Sequence, residues 1–521
     1  MKKVNNIISS KNIITLVIAS GRINSACDYK LSTEDAAFIN IGSSLAIDEI
    51  KKKINSNIIL TTKNKNSNCY KFNPYKGIDF CETGNTNCIV DTISKAIENI
   101  STSWCLINPI TTIPSTNKFD NAFIEFGLEM IHKENWSSLI QGNNETPLFI
   151  NKSDTKYFGI KSHPFTGRIF ARTDDIKFQI SKLKESEKDD LIYLAKKLFK
   201  HSRVEIRYTN WLDIGHQATY PITRISSITS RFFNTLTFDK NKNTIKKKSQ
   251  NKTKLKNEIF FYKTIPDEYK RFFPIIFNTK KDKKEISYEM EYINKPNLSE
   301  IFLFSKVGPN SISRIFYSLE KIFDTFYKKE SITSENVSWL YSLKTRSRQI
   351  ELEKLIKNNE FKSLEKLYES DFILNNNKFP SIRKSYSLLT DQLKDFEIFR
   401  PLHIGHGDLC FNNILIEHLY GEIHLIDPKA ERHKTLKRYG LIDNFYDLSK
   451  LNHSIEGLYD SIVNNLFKLT IIDTNNINLE IYKPNEYEIY NNYFKEIIIY
   501  KRINNECLKL LTGNLFLSML P

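Results

Sequence analysis

No stretch of 18 consecutive apolar residues occurs in the 521-residue chain, so no membrane-spanning helix is expected. The seven cysteines (Cys27, Cys69, Cys81, Cys88, Cys105, Cys410 and Cys507) are odd in number and include no Cys-x-x-Cys pair. That argues against a disulfide framework or a cysteine zinc site, and for reduced thiols in a cytoplasm. Polar residues separate Lys2-Lys3 from the short apolar run Ile13–Ala19, and Ser20-Gly21-Arg22 follows in place of a small-x-small cleavage site. A buried first strand is therefore expected, not a secretory signal. No internal repeat is found. Acidic residues are in short supply: 60 Asp and Glu face 76 Lys and Arg, a net charge of +16. Such an excess suits nucleic acid, an anionic membrane surface or a phosphorylated ligand. It also suits an AT-rich genome that loads the surface with Lys, Asn and Ile, all of which abound here.

What is present is ample apolar and aromatic material, spread over more residues than the roughly 250–300 that one core serves. Two domains are expected, 1–222 and 223–521. In the first, predicted strands (Ile13–Ala19, Asn57–Thr62, Trp104–Asn108) alternate with predicted helices (Ser44–Ile54, Asn87–Asn99), which implies βαβ units and a mostly parallel sheet. After Tyr220 the pattern changes to a hairpin, Phe232–Phe238 and Thr244–Ser249, then a helix from Lys252 to Lys263 and a strand Ser287–Tyr292. Helical periodicity runs from Ser311 to Leu393, a strand-loop-strand block fills Leu402–Asp427, and a helical tail is predicted to the end. Eight lysines and no acid lie between residues 240 and 256. They fall on the predicted hairpin and helix start with no interleaved aromatics, which fits a solvated face and no nucleic-acid site.

The chemistry lies in His403-Ile404-Gly405-His406-Gly407-Asp408-Leu409-Cys410-Phe411-Asn412-Asn413, followed by Ile426-Asp427. Phosphoryl transfer to a hydroxyl needs a carboxylate to accept the proton, and hard oxygen ligands to hold Mg²⁺ against the phosphates. Asp408, Asn413 and Asp427 supply these in order. A satisfied turn between two strands is the alternative for an isolated His-Gly-Asp, but four matched positions at this spacing go beyond it.

The block resembles the catalytic loop of the aminoglycoside phosphotransferase and choline kinase families, which share the protein-kinase fold. The resemblance implies Asp408 as catalytic base, Asn413 and Asp427 as magnesium ligands, and His406 as a brace for the loop. Pro428-Lys429 departs from the family's continuation after the Asp. The resemblance also calls for a small-lobe lysine on ATP phosphates and a helix glutamate that holds it, for which Glu258 is the candidate. Alternation from an inward Ile245 selects Lys247. The Lys-Ser junction, similar to related bacterial capsule-locus kinases, selects Lys248, which is preferred. Tyr288-Glu289-Met290-Glu291-Tyr292-Ile293 resembles the strand into the hinge, where the backbone of Glu291 to Ile293 would meet adenine. Ser227-Ile228-Thr229-Ser230-Arg231 stands where other kinases carry a glycine-rich loop. Tyr446-Asp447-Leu448 resembles the family's Asp-Leu-Ala element, with Asp447 as an N-cap or loop brace.

Val17-Ile18-Ala19-Ser20-Gly21-Arg22 resembles the opening of a sugar-nucleotidyltransferase (GT-A-like α/β) domain. Gly21, Arg22, Thr83 and Gly84 would line its nucleotide site, and Asp213 of Trp211-Leu212-Asp213-Ile214-Gly215 would be one of two magnesium carboxylates. The other carboxylate is replaced by the run Asn108-Pro109-Ile110-Thr111-Thr112, and Ser25 stands at the family's arginine position, so the site is altered. The expected architecture is an α/β nucleotidyltransferase-like domain plus an α+β bilobal kinase-like domain, with a small lobe at 223–295 and a large lobe at 296–521. The expected activity is an ATP- and Mg²⁺-dependent kinase acting on a small hydroxylated acceptor in surface-polysaccharide synthesis, associated with that machinery. The rivals are a non-catalytic nucleotide- or sugar-binding assembly protein and a nucleotidyltransferase that uses a variant site.

Overall fold

A computed structural model describes residues 9–20, 36–39, 41, 44–63, 72, 77–115, 118–132, 136–141, 146–216, 219–220, 223–224, 234–239, 241–249, 251–281, 286–327, 331–429, 440–500 and 504–520. The chain divides into two compact units, Met1–Thr229 and Ser230–Pro521, so the division falls seven residues beyond the expected 222.

The first unit is an α/β layer structure. Its strands and helices are β1 (Ile13–Ile18), α1 (Ala46–Lys53), β2 (Asn57–Thr62), β3 (Ile78–Glu82), α2 (Ile89–Ile97), β4 (Trp104–Pro109), β5 (Thr112–Pro114), β6 (Phe123–Gly127), β7 (Lys161–Arg172), α3 (Thr173–Ser181), α4 (Leu191–His201), β8 (Glu205–Thr209) and β9 (Trp211–Asp213). The central order is β8-β6-β7-β4-β1-β2-β3. All neighbours in it are parallel except β7, which runs antiparallel to β4 and β6. β1 is apolar along most of its length because both faces of a parallel sheet are covered: Ile13, Leu16, Val17 and Ile18 are all buried. The register Leu16–Ile107 and Val17–Asn108 places Asn108 beside the end of β1. β9 pairs with β5, Asp213 against Thr112. Ligands of open α/β sheets bind beyond the carboxyl ends of such strands.

The second unit is α+β and bilobal. Its small lobe is the antiparallel sheet of β10 (Asn234–Asp239), β11 (Thr244–Ser249), β12 (Ile276–Lys281) and β13 (Ile286–Glu291), with helix α5 (Lys252–Thr264) inserted after β11. Asn251 caps α5 by accepting from the Lys254 amide at 3.1 Å. The large lobe contains α6 (Leu298–Phe304), α7 (Pro309–Phe326), α8 (Ser342–Lys357), β14 (Phe372–Leu374), β15 (Asn377–Phe379), α9 (Ile382–Phe396), β16 (Arg400–Ile404), β17 (Ile414–Glu417), β18 (Glu422–Leu425), α10 (Asn444–Ile455), β19 (Phe467–Asp473), β20 (Asn476–Ile481), α11 (Tyr487–Tyr500) and α12 (Asn505–Leu517). Leu340, Leu393, Leu402, Ile442, Leu511 and Leu515 form a core under β16. Two expectations need correction. The predicted helical tail contains the hairpin β19–β20, and the predicted helical stretch to Leu393 contains the hairpin β14–β15, which joins it in one sheet. No helix among the described residues is long and apolar enough to cross a membrane.

Candidate active site

The loop between β16 and β17 is shaped by two glycines and one buried histidine. A Cβ at Gly405 would lie 2.4 Å from Ile442 Cγ2 and 2.9 Å from Asp447 Oδ2. Gly407 has φ +76°, in the left-handed region that favours glycine, and a Cβ there would meet Lys429 at 3.0 Å. The His406 ring, wholly buried, is parallel to Phe273 with centroids 6.1 Å apart. Its Nδ1 faces the Asp408 amide at 3.2 Å and its Nε2 faces the Ile426 carbonyl at 2.9 Å. The amide can only donate and the carbonyl only accept, so the ring is neutral with its proton on Nε2. It thus links the residues before and after the two strands. Asp447, in the first turn of α10, accepts from the amides of His406 and Gly407 at 2.8 Å each and from the Tyr327 hydroxyl at 2.6 Å. Burial pushes its carboxyl up, against these three donors. The N-cap of α10 is Asp443, so Asp447 serves as a loop brace.

This loop presents Asp408 and Asn413. Asp408 Oδ1 lies 2.9 Å from Lys450 Nζ, with about a third of the side chain exposed. Burial raises its pKa, but Lys450 and Lys429 outweigh that and hold it at about 2. It is a carboxylate throughout the physiological range. Asn413 Nδ2 donates to the Asp408 carbonyl at 2.8 Å, which fixes the amide and leaves Oδ1 without a partner among the described residues. Asp427 follows β18 with φ +55° and a half-exposed carboxylate. Backbone of that sign is uncommon outside glycine and collects at functional sites.

Lys247 closes the site from the small lobe. Its Nζ is 2.7 Å from Glu258 Oε1 and 2.8 Å from Asp427 Oδ1, and Tyr288 donates to the same Glu258 oxygen at 2.6 Å. Burial lowers the Lys247 pKa, but Asp427 and Glu258 outweigh it and keep the ammonium charged. Burial pushes Glu258 up against the pull of Lys247. This corrects the choice of Lys248. Lys248 is half-buried on the other face of β11, paired in register with Ser287, because strand side chains alternate and Ile245 points inward. In the hinge, Glu291 donates its amide to the Ile275 carbonyl at 3.0 Å, and Tyr292 to Asn243 at 3.1 Å. Ile293 accepts from the Lys295 amide at 2.9 Å, and its own N–H has no partner among the described residues. Sequence reasoning missed Lys450. The signal was its place three residues after Asp447 and four after Tyr446, which puts all three toward one side of α10.

In the first unit, Thr83 Oγ1 is 3.0 Å from Ser20 Oγ, Lys95 donates to the Thr83 carbonyl at 3.0 Å, and Gly84 has φ +63°. Gly21 and Arg22 lie outside the described residues, as does the segment Ser227–Arg231. Asp213 is held by its own turn: Oδ1 accepts from the Gly215 amide at 3.2 Å, and Oδ2 from the His216 amide at 3.1 Å, from His216 Nδ1 at 3.0 Å and from the Thr219 hydroxyl. Asn108 is fully buried and donates to the carbonyl of Thr112, the strand partner of Asp213, at 3.0 Å. An amide thus stands in the neighbourhood where the resemblance calls for a second carboxylate, and Asp213 is tied into its own turn, mainly through Oδ2. A two-metal site needs two free carboxylates. The full chain is therefore expected to release no pyrophosphate from CTP or UTP with Mg²⁺ and a sugar or alditol phosphate. Steady metal-dependent release, followed by coupled phosphate detection, would contradict this.

No protein-family model matches the sequence, and no curated protein matches it. Among solved structures, the chain is similar to a UDP-glucose pyrophosphorylase complexed with UDP-glucose (11% identity, 41% of this chain, 97% of that chain, TM-score 0.33). It is similar also to HddC from Yersinia pseudotuberculosis (13% identity, 40% of this chain, 97% of that chain, TM-score 0.31). A third is an aminoglycoside-3'-phosphotransferase of type VIII (14% identity, 53% of this chain, 84% of that chain, TM-score 0.32). At these levels the architecture rests on the strand order and the two lobes described above: an α/β unit and a bilobal α+β unit.

Proposed function

We propose that the second unit transfers the γ-phosphoryl group of ATP to a hydroxyl of a small acceptor, in surface-polysaccharide synthesis. The observation that carries this reading is the triangle of Lys247, Glu258 and Asp427 facing a loop that holds Asp408 and Asn413. Catalysis of phosphoryl transfer is mainly positioning and charge stabilisation, and each part has a residue. Asp408 accepts the acceptor's hydroxyl proton as the oxygen forms its bond to the γ-phosphorus. The bond from that phosphorus to the β-γ bridging oxygen breaks, and ADP leaves with the electron pair. Lys247, held by Glu258, meets the phosphates. The hinge backbone from Glu291 to Ile293 receives adenine, with the Ile293 N–H as donor. Asn413 Oδ1 and the half-exposed Asp427 carboxylate are two hard oxygens that fit Mg²⁺, which takes its other ligands from phosphates and water. Among the described residues there is no all-protein cage of three His, Cys, Asp or Glu. Bound magnesium would neutralise charge on the phosphates.

For the first unit we infer a binding role for a nucleotide or sugar, supported by Asp213 being tied into its own turn and by the amide at Asn108. Calorimetry of the full chain with ATP, with and without Mg²⁺, followed by a phosphate-transfer screen over sugars, alditols and amino alcohols, tests the kinase reading. Magnesium-dependent binding with transfer to one acceptor class is expected. Binding with no acceptor would favour the assembly-protein reading for both units.

A further inference from the structure

Behind the catalytic loop lies a carboxyl that phosphoryl transfer does not use directly. Asp460, in the short helix Tyr459–Val463, has no solvent exposure. Its Oδ1 accepts from Asn412 Nδ2 at 3.3 Å, and its Oδ2 has no hydrogen-bond partner among the described residues. Asn412 is the middle residue of the turn Phe411–Asn413, whose last residue offers Oδ1 to magnesium. The turn has a second anchor, because the Phe411 amide donates to Ser454 Oγ on α10 at 3.3 Å. Leu458, two residues before Asp460, has φ +50°, a sign uncommon outside glycine that collects at functional sites. We propose that Asp460 is a positioning residue for the metal-binding turn: its carboxylate holds the Asn412 amide and thereby aims Asn413. This rests on the kinase reading, since the aim of Asn413 matters only where magnesium binds.

A buried carboxylate without a counter-ion is costly, and a neutral side chain would serve packing better. No ammonium or guanidinium acts on Asp460. Burial outweighs the neighbouring Ser299 and Ser454 hydroxyls and raises its pKa to about 6. The other titratable groups around it do not change charge in that range. Burial pushes up the Cys410 thiol and the Tyr459 hydroxyl, with Asp460 adding to both, and holds His453 of α10 down at about 3. Lys450, further along α10, is paired with Asp408. What the Asp460 charge supplies is bond strength. A hydrogen bond to an ionised acceptor is roughly twice as strong as a neutral one, and a carboxylate can only accept, so the Asn412 NH₂ is kept facing inward.

Asp460→Asn keeps the shape of the side chain and imitates the protonated acid. The full chain is titrated calorimetrically with AMP-PCP, with and without Mg²⁺, at about pH 7.5 and about pH 5. At the higher pH the affinity gained from Mg²⁺ is expected to be about fivefold smaller in the variant, with the metal-free affinity unchanged. At the lower pH, where wild-type Asp460 is mostly protonated, the two chains should agree. Comparing them at one pH cancels the titration of the nucleotide itself. Asn412→Ala should show the same loss, and adding Asp460→Asn to it should bring no further loss. Without nucleotide or metal, Asp460→Asn should have the higher Tm at neutral pH, an advantage that shrinks toward about pH 4. The sign follows because the folded pKa lies above the unfolded value of about 3.9: the stability it contributes is present below that value and lost as pH rises through the folded one. If the wild type gains no affinity from Mg²⁺, the kinase reading falls and this inference with it. If it does gain, but Asp460→Asn keeps the full gain at about pH 7.5 or its loss adds to that of Asn412→Ala, the positioning role alone is overturned. A Tm difference that does not change with pH would overturn it as well.

Discussion

Asp408→Asn is expected to lower the turnover of phosphoryl transfer by about 10²–10⁴-fold while Mg·ATP binds with nearly unchanged affinity. The variant keeps the size of the side chain and the loop around it, because Gly407, His406 and Asp447 fix the backbone through bonds that Asp408's carboxylate does not make. What is lost is the lone pair that takes the hydroxyl proton. Binding is measured by calorimetry and turnover by single-turnover transfer from labelled ATP. Undiminished turnover would remove Asp408 from the chemistry.

The pH behaviour follows from the same geometry. Asp408 is held at about 2 against its burial, chiefly by Lys450, so it remains a base well below neutrality. An acid limb of the rate profile near pH 5 or 6 would belong to another group. A carboxyl with a depressed pKa adds stability that is fully present above its unfolded value of about 3.9 and is lost as pH falls through the folded value. The Asp408–Lys450 pair therefore stabilises the wild type at neutral pH and releases that contribution between about pH 4 and 2. Lys450→Met should move the Asp408 titration, and with it the acid limb, upward.

How much of this was legible in the sequence depends on the range of the interactions. The stretch His403–Asp427 is legible because a single loop and one hairpin carry Asp408, Asn413 and Asp427, so their spacing is their geometry. β1, β2 and β4 are legible because continuous apolar runs mark strands covered on both faces. β19–β20 was missed although Phe467, Leu469 and Ile471 alternate with Lys468 and Thr470 shortly before the Asp473-Thr474-Asn475-Asn476 turn; the surrounding helical pattern outweighed a short strand pair. Lys450 was missed because its partner lies 42 residues earlier, and only the packing of α10 on the catalytic loop brings them together. Lys247 against Lys248 was decided wrongly by giving a family junction more weight than the two-residue repeat of a strand.

That repeat makes the second large effect a paired measurement. Lys247→Met is expected to reduce kcat/KM for ATP by about 10²–10³-fold, the usual effect of removing one preorganised charge from a reacting site. Lys248→Met, on the opposite face, should stay within about 0.5 kcal/mol of the wild type in transition-state energy. The two substitutions remove the same charge one residue apart, so net charge and composition cancel in the comparison and only strand parity differs. A fold effect has to be separated from a catalytic one, because Lys247→Met leaves Glu258 buried with Tyr288 as its remaining donor. An unpaired buried carboxylate is costly, about 3–5 kcal/mol when one partner of a buried pair is removed. Glu258 escapes part of that by taking a proton, since burial already pushes its pKa up and the loss of Lys247 removes the opposing charge. The doubly substituted chain, Lys247→Met with Glu258→Gln, removes the carboxylate as well. It should recover thermal stability relative to Lys247→Met alone yet remain inactive, because the ammonium that meets the phosphates is still missing. Activity restored along with stability would mean that Lys247 serves folding only, and activity lost in Lys248→Met but kept in Lys247→Met would reverse the assignment.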